Sequence, residues 1–407
     1  MPQLLPLSLT RRRPGRINPG LDTIREAARC LGDPQETASN LRIAGTNGKG
    51  STAAMLDAIL TAHGVATGLY TSPHLVRVTE RIRAGGREIP RDDLERLLGV
   101  LDEHPGLTFF ETLTLAAFLW FRETRVGAAI LEVGLGGRWD ATRIAPCAVA
   151  GLTNVGSDHA RWLGNTPEEV AAEKGAALAE ARLAVVGPGV APDLLPALGV
   201  PRLRPARDLV RLRVEAAGRV SADWGHGPVS LAVPLPGVHQ VQNLHLALAM
   251  AAACVETGLL DRLDPGAVDR GLRAVRWPGR LSEHRIAGRR VLLDGAHNRE
   301  AAEALSRELA GRPERFSLLF SCLDDKPLEA MAAALAPVVE EVAVFPLEDP
   351  RAMPLERLVD AFPGARPAHG ALAALRALED PVVAAGSLRV VGALLEYAED
   401  EREEPSP

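Results

Sequence analysis

The stretch Leu41-Arg-Ile-Ala-Gly-Thr-Asn-Gly-Lys-Gly-Ser-Thr-Ala-Ala-Met55 constrains this chain more than any other. Arg42 to Ala44 read as the end of a short strand, and the glycines after them as a tight turn. From Ser51 the pattern predicts a helix with Met55, Leu56, Ile59 and Leu60 on one face, stopping at His63-Gly64. A strand that turns through glycines into a helix N-terminus is an anion trap. Backbone N–H groups can approach phosphate oxygens there, and the helix end adds positive potential. Lys49 supplies a full charge, and Ser51 or Thr52 a hydroxyl suited to Mg²⁺. The spacing departs from the standard phosphate loop, because Ile43 takes the first glycine position and Gly50 separates lysine from hydroxyl. The stretch reads as a nucleotide phosphate site; the plainer alternative is an ordinary glycine-rich turn.

Lysine usage singles out the same place. Lys49, Lys174 and Lys326 are the only lysines among 46 basic residues. Exposed ion pairs are therefore left to arginine, and each lysine becomes a candidate for work a guanidinium cannot do, as a compact point charge or a modifiable amine. A net charge of -6 argues against a nucleic-acid surface. Cys30, Cys147, Cys254 and Cys322 are scattered without a C-x-x-C pair, which suits a reducing cytosol and offers no zinc site. The first apolar residues precede Arg11-Arg12-Arg13, the reverse of a secretory signal, and the longest apolar run, Leu113 to Phe121, is too short to span a bilayer. The expectation is a soluble cytoplasmic protein that binds neither nucleic acid nor membrane.

A length of 407 residues implies two domains. Strands at 128–134, 148–153 and 183–186 alternate with helices opened by Thr108-Phe-Phe-Glu111 and Thr166-Pro-Glu-Glu169, both with capping-box spacing. That alternation predicts an α/β fold with a mainly parallel sheet. Short strands around 210–214, 219–222 and 229–233 form a small antiparallel appendage. A second alternation from Arg289 predicts a smaller Rossmann-like C-terminal α/β domain. The boundaries are 1–278 for the phosphate-loop domain, 279–286 for a linker and 287–407 for the second domain, with an acidic, disordered tail from Glu399.

In open α/β sheets ligands sit beyond the carboxyl ends of strands. That rule gathers Lys49, Ser72, Glu132, Asn154 and Asp294. Glu132, ending an apolar strand, is placed to hold Mg²⁺ or to cap a turn; Ser72, before Pro73, is placed for a ligand or for turn initiation.

Gly45-Thr-Asn-Gly-Lys-Gly-Ser51, Thr71-Ser-Pro-His74, Glu132-Val-Gly-Leu-Gly-Gly-Arg138 with Asp140-Ala-Thr142, and Asp158-His159 with Leu163-Gly164 follow in order. Glu173-Lys174, Gln240 with Asn243, Pro278-Gly-Arg280 and Asp294-Gly-Ala-His-Asn298 complete the series. From about Arg13 to Gly386-Ser387 the chain resembles the folylpolyglutamate synthase/dihydrofolate synthase family of the Mur ligase superfamily. The resemblance implies ATP-dependent ligation of L-glutamate to dihydropteroate, to reduced folates such as tetrahydrofolate, or to both, through an acyl phosphate. It implies ATP as substrate, Mg²⁺ (two ions), no organic cofactor and a monomer.

Residue by residue, the resemblance places ATP against Asn47, Gly48, Lys49, Gly50, Ser51, Thr52, Asn243, Arg280 and Asp294. It places metal at Ser72, Glu132 and His159, and makes Lys174 an N6-carboxylysine formed with CO₂. The pterin would meet Pro19, Gly20, Leu21, Asp22, Phe110, Glu111, Thr112, Trp139, Asp140 and Ala141, and the glutamate His297 and Ser387. Lys49, Lys174 and His297 carry the catalytic roles, and Lys326 has none assigned. Two alternatives are a ligase acting on a nucleotide-linked cell-wall precursor and a silent nucleotide-binding relative. Thr71-Ser-Pro-His74 and Asp294-Gly-Ala-His297 speak against the first, and the joint presence of Lys49, Glu132, His159 and Lys174 against the second.

Overall fold

The computed structural model describes residues 6–10, 12, 19–156, 164, 166–216 and 218–403. Two compact units result, Met1–Pro234 with Gln240–Arg276, and Leu235–His239 with Trp277–Pro407. The strands of the first unit are β1 (Ser39–Ala44), β2 (Thr67–Tyr70), β3 (Ile82–Ala84), β4 (Arg87–Glu88), β5 (Ala128–Glu132), β6 (Cys147–Asn154), β7 (Leu183–Gly189) and β8 (Leu203–Pro205). They form one sheet in the order β4-β3-β2-β5-β1-β6-β7-β8. From β2 to β8 every pairing is parallel, and β3 and β4 add an antiparallel edge. The sequence pattern stopped short of β3, β4 and β8, because strands of two or three residues show no periodicity. The appendage is as expected: β9 (Arg211–Val214), β10 (Arg219–Asp223) and β11 (Val229–Ala232) pair antiparallel.

The helix after the glycine loop, Lys49–Ala62, is buried on more than the single face the sequence suggests. The helix Pro265–Ala274 packs on its outer side, and a side chain at Gly271 would come within 2.5 Å of Ala58 O. The sheet and this second helix together bury Gly50 through Leu56. His63 joins the pair: it caps the first helix, and its Nε2 accepts from the backbone N–H of Asp264, which caps the second.

Arg42, on β1, is 1% exposed and has no equivalent among the expected core residues. Its guanidinium donates to Ala177 O at 2.8 Å, Thr142 O at 3.0 Å and Ala145 O at 2.8 Å. It thereby ties the end of the 167–177 helical segment and the 141–145 turn to the central strand. Arg42→Leu removes three buried hydrogen bonds, leaving Thr142 O the backbone N–H of Ala145 at 3.3 Å, and should cost about 3–5 kcal/mol. Denaturant unfolding checks this; a midpoint within error of wild type would show that the carbonyls find other partners.

The second unit has the sheet order β12-β13-β17-β14-β15-β16, with β12 (Ser282–Ile286), β13 (Arg289–Leu293), β14 (Phe316–Phe320), β15 (Val339–Val344), β16 (Arg366–Pro367) and β17 (Val382–Ala385). Only β12 is antiparallel to its neighbour. Residues 282–286, expected within a linker, instead form this edge strand, since alternation of exposed and half-buried residues lets them pair with β13. The tail also differs from expectation. The last helix runs Leu388–Glu403, carried by the buried stripe Val390, Val391, Leu394 and Ala398, so 399–403 continue its hydrogen-bond ladder rather than being disordered. Residues 404–407 lie outside the described chain.

Candidate active site

The phosphate-type loop is built by its neighbours. Gly45 and Gly48 have φ of 143° and 82°, values that favour glycine. Close approach demands the same residue: a Cβ on Gly45 would lie 1.8 Å from Thr153 Oγ1, and one on Gly48 2.1 Å from Asn243 Oδ1. The end of β6 clamps the loop. Asn47 N donates to Asn154 Oδ1 at 2.9 Å, while Asn154 Nδ2 and Thr153 Oγ1 both donate to Asn47 O. Asn154 was legible as a strand-end residue; Thr153 was not, having no signal beyond its position.

Gly48 in the left-handed region caps the helix without a side-chain bond, so the first N–H groups lack a side-chain cap. Lys49 Nζ donates to Gly45 O at 3.0 Å and Thr46 O at 3.1 Å, holding its charge against the loop. Ser51 Oγ and Thr52 Oγ1 are buried without a hydrogen-bond partner among the described residues. Buried unpaired hydroxyls are costly and rare, and two at a helix N-terminus mark a place built for a polar ligand.

Parallel pairing brings the acid to the loop. Glu132 pairs in register with Ile43, two residues before Gly45, and Leu131 with Tyr70, two residues before Ser72. Glu132 is 5% exposed, and its Oε2 accepts from Ser72 N at 3.0 Å. The donors gathered here are carboxylate and hydroxyl oxygens, the set a hard cation prefers. Among the described residues no three His, Cys, Asp or Glu side chains cluster as a metal cage. The residues fit a Mg²⁺ held by one carboxylate, hydroxyl oxygen and nucleotide phosphate. His159 lies outside the described residues.

Lys174 is buried, at 3% exposure, on the helix Pro167–Gly175. It is not a solvent-facing partner of Glu173, whose carboxylate instead receives Arg138 N at 2.9 Å and Arg138 Nε at 3.1 Å. Gly137 presses on this helix, with Glu173 O 2.5 Å from where its Cβ would stand. The glycine-rich segment after β5 and the lysine helix are thus in direct contact.

The residues expected at the pterin divide in two. Asp140 is buried and folds its own loop, accepting from Gly134 N, Thr142 N and Thr142 Oγ1; burial raises its pKa. Glu111 completes a capping box with Thr108, and Thr112 Oγ1 donates to Thr108 O. Leu21 and Ala141 are core residues. Pro19, Gly20, Asp22, Phe110 and Trp139 retain exposure, and Trp139 is 52% exposed. Phe110 packs on Gly134, within 2.6 Å of its would-be Cβ. Phe110 and Trp139 keep exposed ring surface, while Glu111 Oε2 and Asp140 accept from nearby backbone N–H groups.

In the second unit, Asp294 follows β13. Its oxygens accept from Leu281 N at 3.1 Å and Ala296 N at 2.9 Å; burial raises its pKa and the Arg280 guanidinium opposes that rise. Arg280 lies over Gly295, whose Cβ would be 2.5 Å from Nη1. His297 Nδ1 hydrogen-bonds Gly295 O at 2.8 Å. Gly386 N donates to Ala296 O at 2.8 Å, which brings Ser387 to the segment carrying His297. Asn243 belongs to the first unit, beside Gly48, where its Nδ2 donates to Gln240 Oε1.

Residues 43–186 match the Mur ligase middle domain, and residues 279–387 the Mur ligase glutamate ligase domain. The dihydrofolate synthase/folylpolyglutamate synthase of Mycobacterium tuberculosis is 36% identical over 378 residues, covering 84% of this chain and 77% of that protein. Escherichia coli FolC in complex with DHPP and ADP superposes with a TM-score of 0.86 at 31% identity, covering 97% of each chain. The bifunctional folylpolyglutamate synthase/dihydrofolate synthase of Yersinia pestis, complexed with AMPPNP and a Mn ion, gives 0.83 at 30% identity over 96% of each chain. With identity at this level across most of both chains, the chain belongs to the dihydrofolate synthase/folylpolyglutamate synthase family of Mur ligases, ATP-dependent ligases of acids and amino acids.

Proposed function

We propose that this ligase adds L-glutamate to a pterin-linked carboxylate, on dihydropteroate, on reduced folates, or on both. The carboxylate attacks the γ-phosphorus of ATP, the bond to ADP breaks, and an acyl phosphate forms. The neutral amine of glutamate attacks the acyl carbon. The tetrahedral intermediate expels phosphate, the nitrogen loses its proton, and an amide or γ-glutamyl bond remains.

One observation carries this reading: Lys49, the buried hydroxyls of Ser51 and Thr52, and Glu132 converge at the ends of adjacent parallel strands. Lys49, with Asn47, Gly48 and Gly50, holds the transferring phosphates and screens them from the incoming carboxylate. Ser72 and Glu132 hold Mg²⁺, which when bound supplies further charge neutralisation. A second Mg²⁺ with His159 and carbamylated Lys174 belongs to the same proposal. Asn243, Arg280 and Asp294 take the adenosine side, His297 and Ser387 the glutamate, and Phe110 and Trp139 the pterin ring. The unpaired cysteines and the lack, among the described residues, of any helix long and apolar enough to cross a membrane support a cytoplasmic enzyme, which we take to be monomeric.

Phosphate release with ATP, Mg²⁺ and L-glutamate tests the proposal, with 7,8-dihydropteroate and tetrahydrofolate as alternative acceptors. Release should require both glutamate and an acceptor. Release that is indifferent to both acceptors would overturn it, and the faster acceptor identifies the preferred activity.

A further inference from the structure

The carboxyl end of the second sheet carries a charged group that the chemistry above does not use. Arg389 lies in the first turn of the Leu388–Glu403 helix, directly after β17, and its backbone N donates to Ser387 Oγ at 3.2 Å. Its Nη2 stands 2.7 Å from Oδ2 of Asp349, in the loop after β15. Between β17 and β15 the sheet places β14. The pair therefore joins the elements leaving the two strands that flank β14, and spans the carboxyl end of that strand. Ser321 sits at that end with Oγ buried and without a hydrogen-bond partner among the described residues.

A second arginine shares the acid. Asp349 Oδ1 accepts from Arg351 N at 2.7 Å and lies 3.6 Å from Arg351 Nε. The Asp349 side chain is 7% exposed, whereas those of Arg351 and Arg389 are 52% and 48% exposed. One shielded carboxylate between two half-exposed guanidiniums leaves a net positive charge with donors facing water. The frame is tied down as well: Asp324 N donates to Arg351 O at 2.9 Å, Met353 N to Cys322 O at 3.0 Å, and Leu323 bridges Ala352. Ligands in open α/β sheets bind beyond such strand ends, and a guanidinium held by one acid keeps donors free for a planar carboxylate.

We propose that Arg389, positioned by Asp349 and assisted by Arg351, reads the side-chain carboxylate of the incoming dicarboxylic amino acid and sets the preference for an acidic over a neutral one. The inference rests on the ligase reading above and extends it to residues with no assigned role. Arg389 touches the substrate; Asp349 acts through Arg389.

The test uses the full chain and initial rates of acceptor-dependent phosphate release, with L-glutamate, L-glutamine and ATP varied in turn. Arg389→Met should raise KM for L-glutamate about tenfold or more while KM for ATP and kcat move less than about threefold. Activity with L-glutamine should hardly change, and Arg389→Lys should recover part of the loss, as it restores charge without the fork. Asp349→Asn should also raise KM for glutamate, although removing a negative charge alone would lower it. An unchanged glutamate KM in Arg389→Met, a parallel rise for ATP and glutamine, or a lower glutamate KM in Asp349→Asn overturns the inference. Absence of glutamate-dependent release in the wild-type enzyme would instead overturn the ligase reading itself.

Discussion

Lys49→Ala is expected to lower acceptor-dependent phosphate release by about 10²–10³-fold, the usual loss when one preorganised charge at a transferring group is removed. The side chain is the one full positive charge in the loop, and it is held by two carbonyls of that loop, Gly45 O and Thr46 O. Those bonds keep the ammonium where phosphate oxygens would meet the N-terminus of the Lys49–Ala62 helix. Arginine is a poor replacement, because the branched guanidinium cannot enter a turn packed against Thr153 and Asn243. The fold should survive alanine, since only two bonds from a half-buried side chain are lost. Steady-state phosphate release alongside thermal unfolding checks both halves. A stable Lys49→Ala enzyme with near-normal turnover would remove Lys49 from the γ-phosphate.

Lys174→Arg should be nearly as damaging, by about 10²-fold, if a carboxylate at this position supplies stabilisation comparable to one preorganised group. Carbamate formation releases two protons, one when the ammonium becomes the neutral amine and one when that amine adds to CO₂, so that a cation becomes an anion; a guanidinium cannot do this. The side chain is 3% exposed, so a group formed on this amine is held inside the protein rather than in bulk water. Glu173 does not compete for the amine, being engaged with Arg138. Native mass measurement of active wild-type enzyme should show the mass of one CO₂ at Lys174, lost in the variant and lowered by bicarbonate depletion. Full activity in thoroughly decarbonated buffer, with the residue unmodified, would contradict the assignment.

Both residues stand out in the sequence for the same reason. In a chain that uses arginine almost everywhere, a lysine at a glycine turn and another in a capped helix stand out by chemistry. The capping boxes at Thr108 and Thr166 and the appendage strands were equally legible, because each depends on residues within a few positions of one another. Asp140 and Glu111 show where such reading stops. Their motif positions point to a ligand, whereas the structure adds a local role: Glu111 Oε2 accepts from Thr108 N, and Asp140 from Gly134 N and Thr142 N. The edge strand at 282–286 is hidden because Ser282-Glu-His-Arg285 carries no apolar alternation, so only its pairing with β13 reveals it.

What the sequence by itself determined was local: the glycine loop and its lysine, the strand-helix alternation, the carboxylate ending β5, and the motif order that marks the family. Tertiary structure alone decided which of these meet. Parallel register sets Glu132 opposite Ile43 and so beside the loop, and burial distinguishes Lys174 from an ordinary surface lysine. Arg42 and the Arg351–Asp349–Arg389 group came to light only in three dimensions. The reason is physical. Propensity, capping and turn chemistry act over a few residues, whereas buried hydrogen bonds and shared charges join groups that the chain separates by forty residues or more.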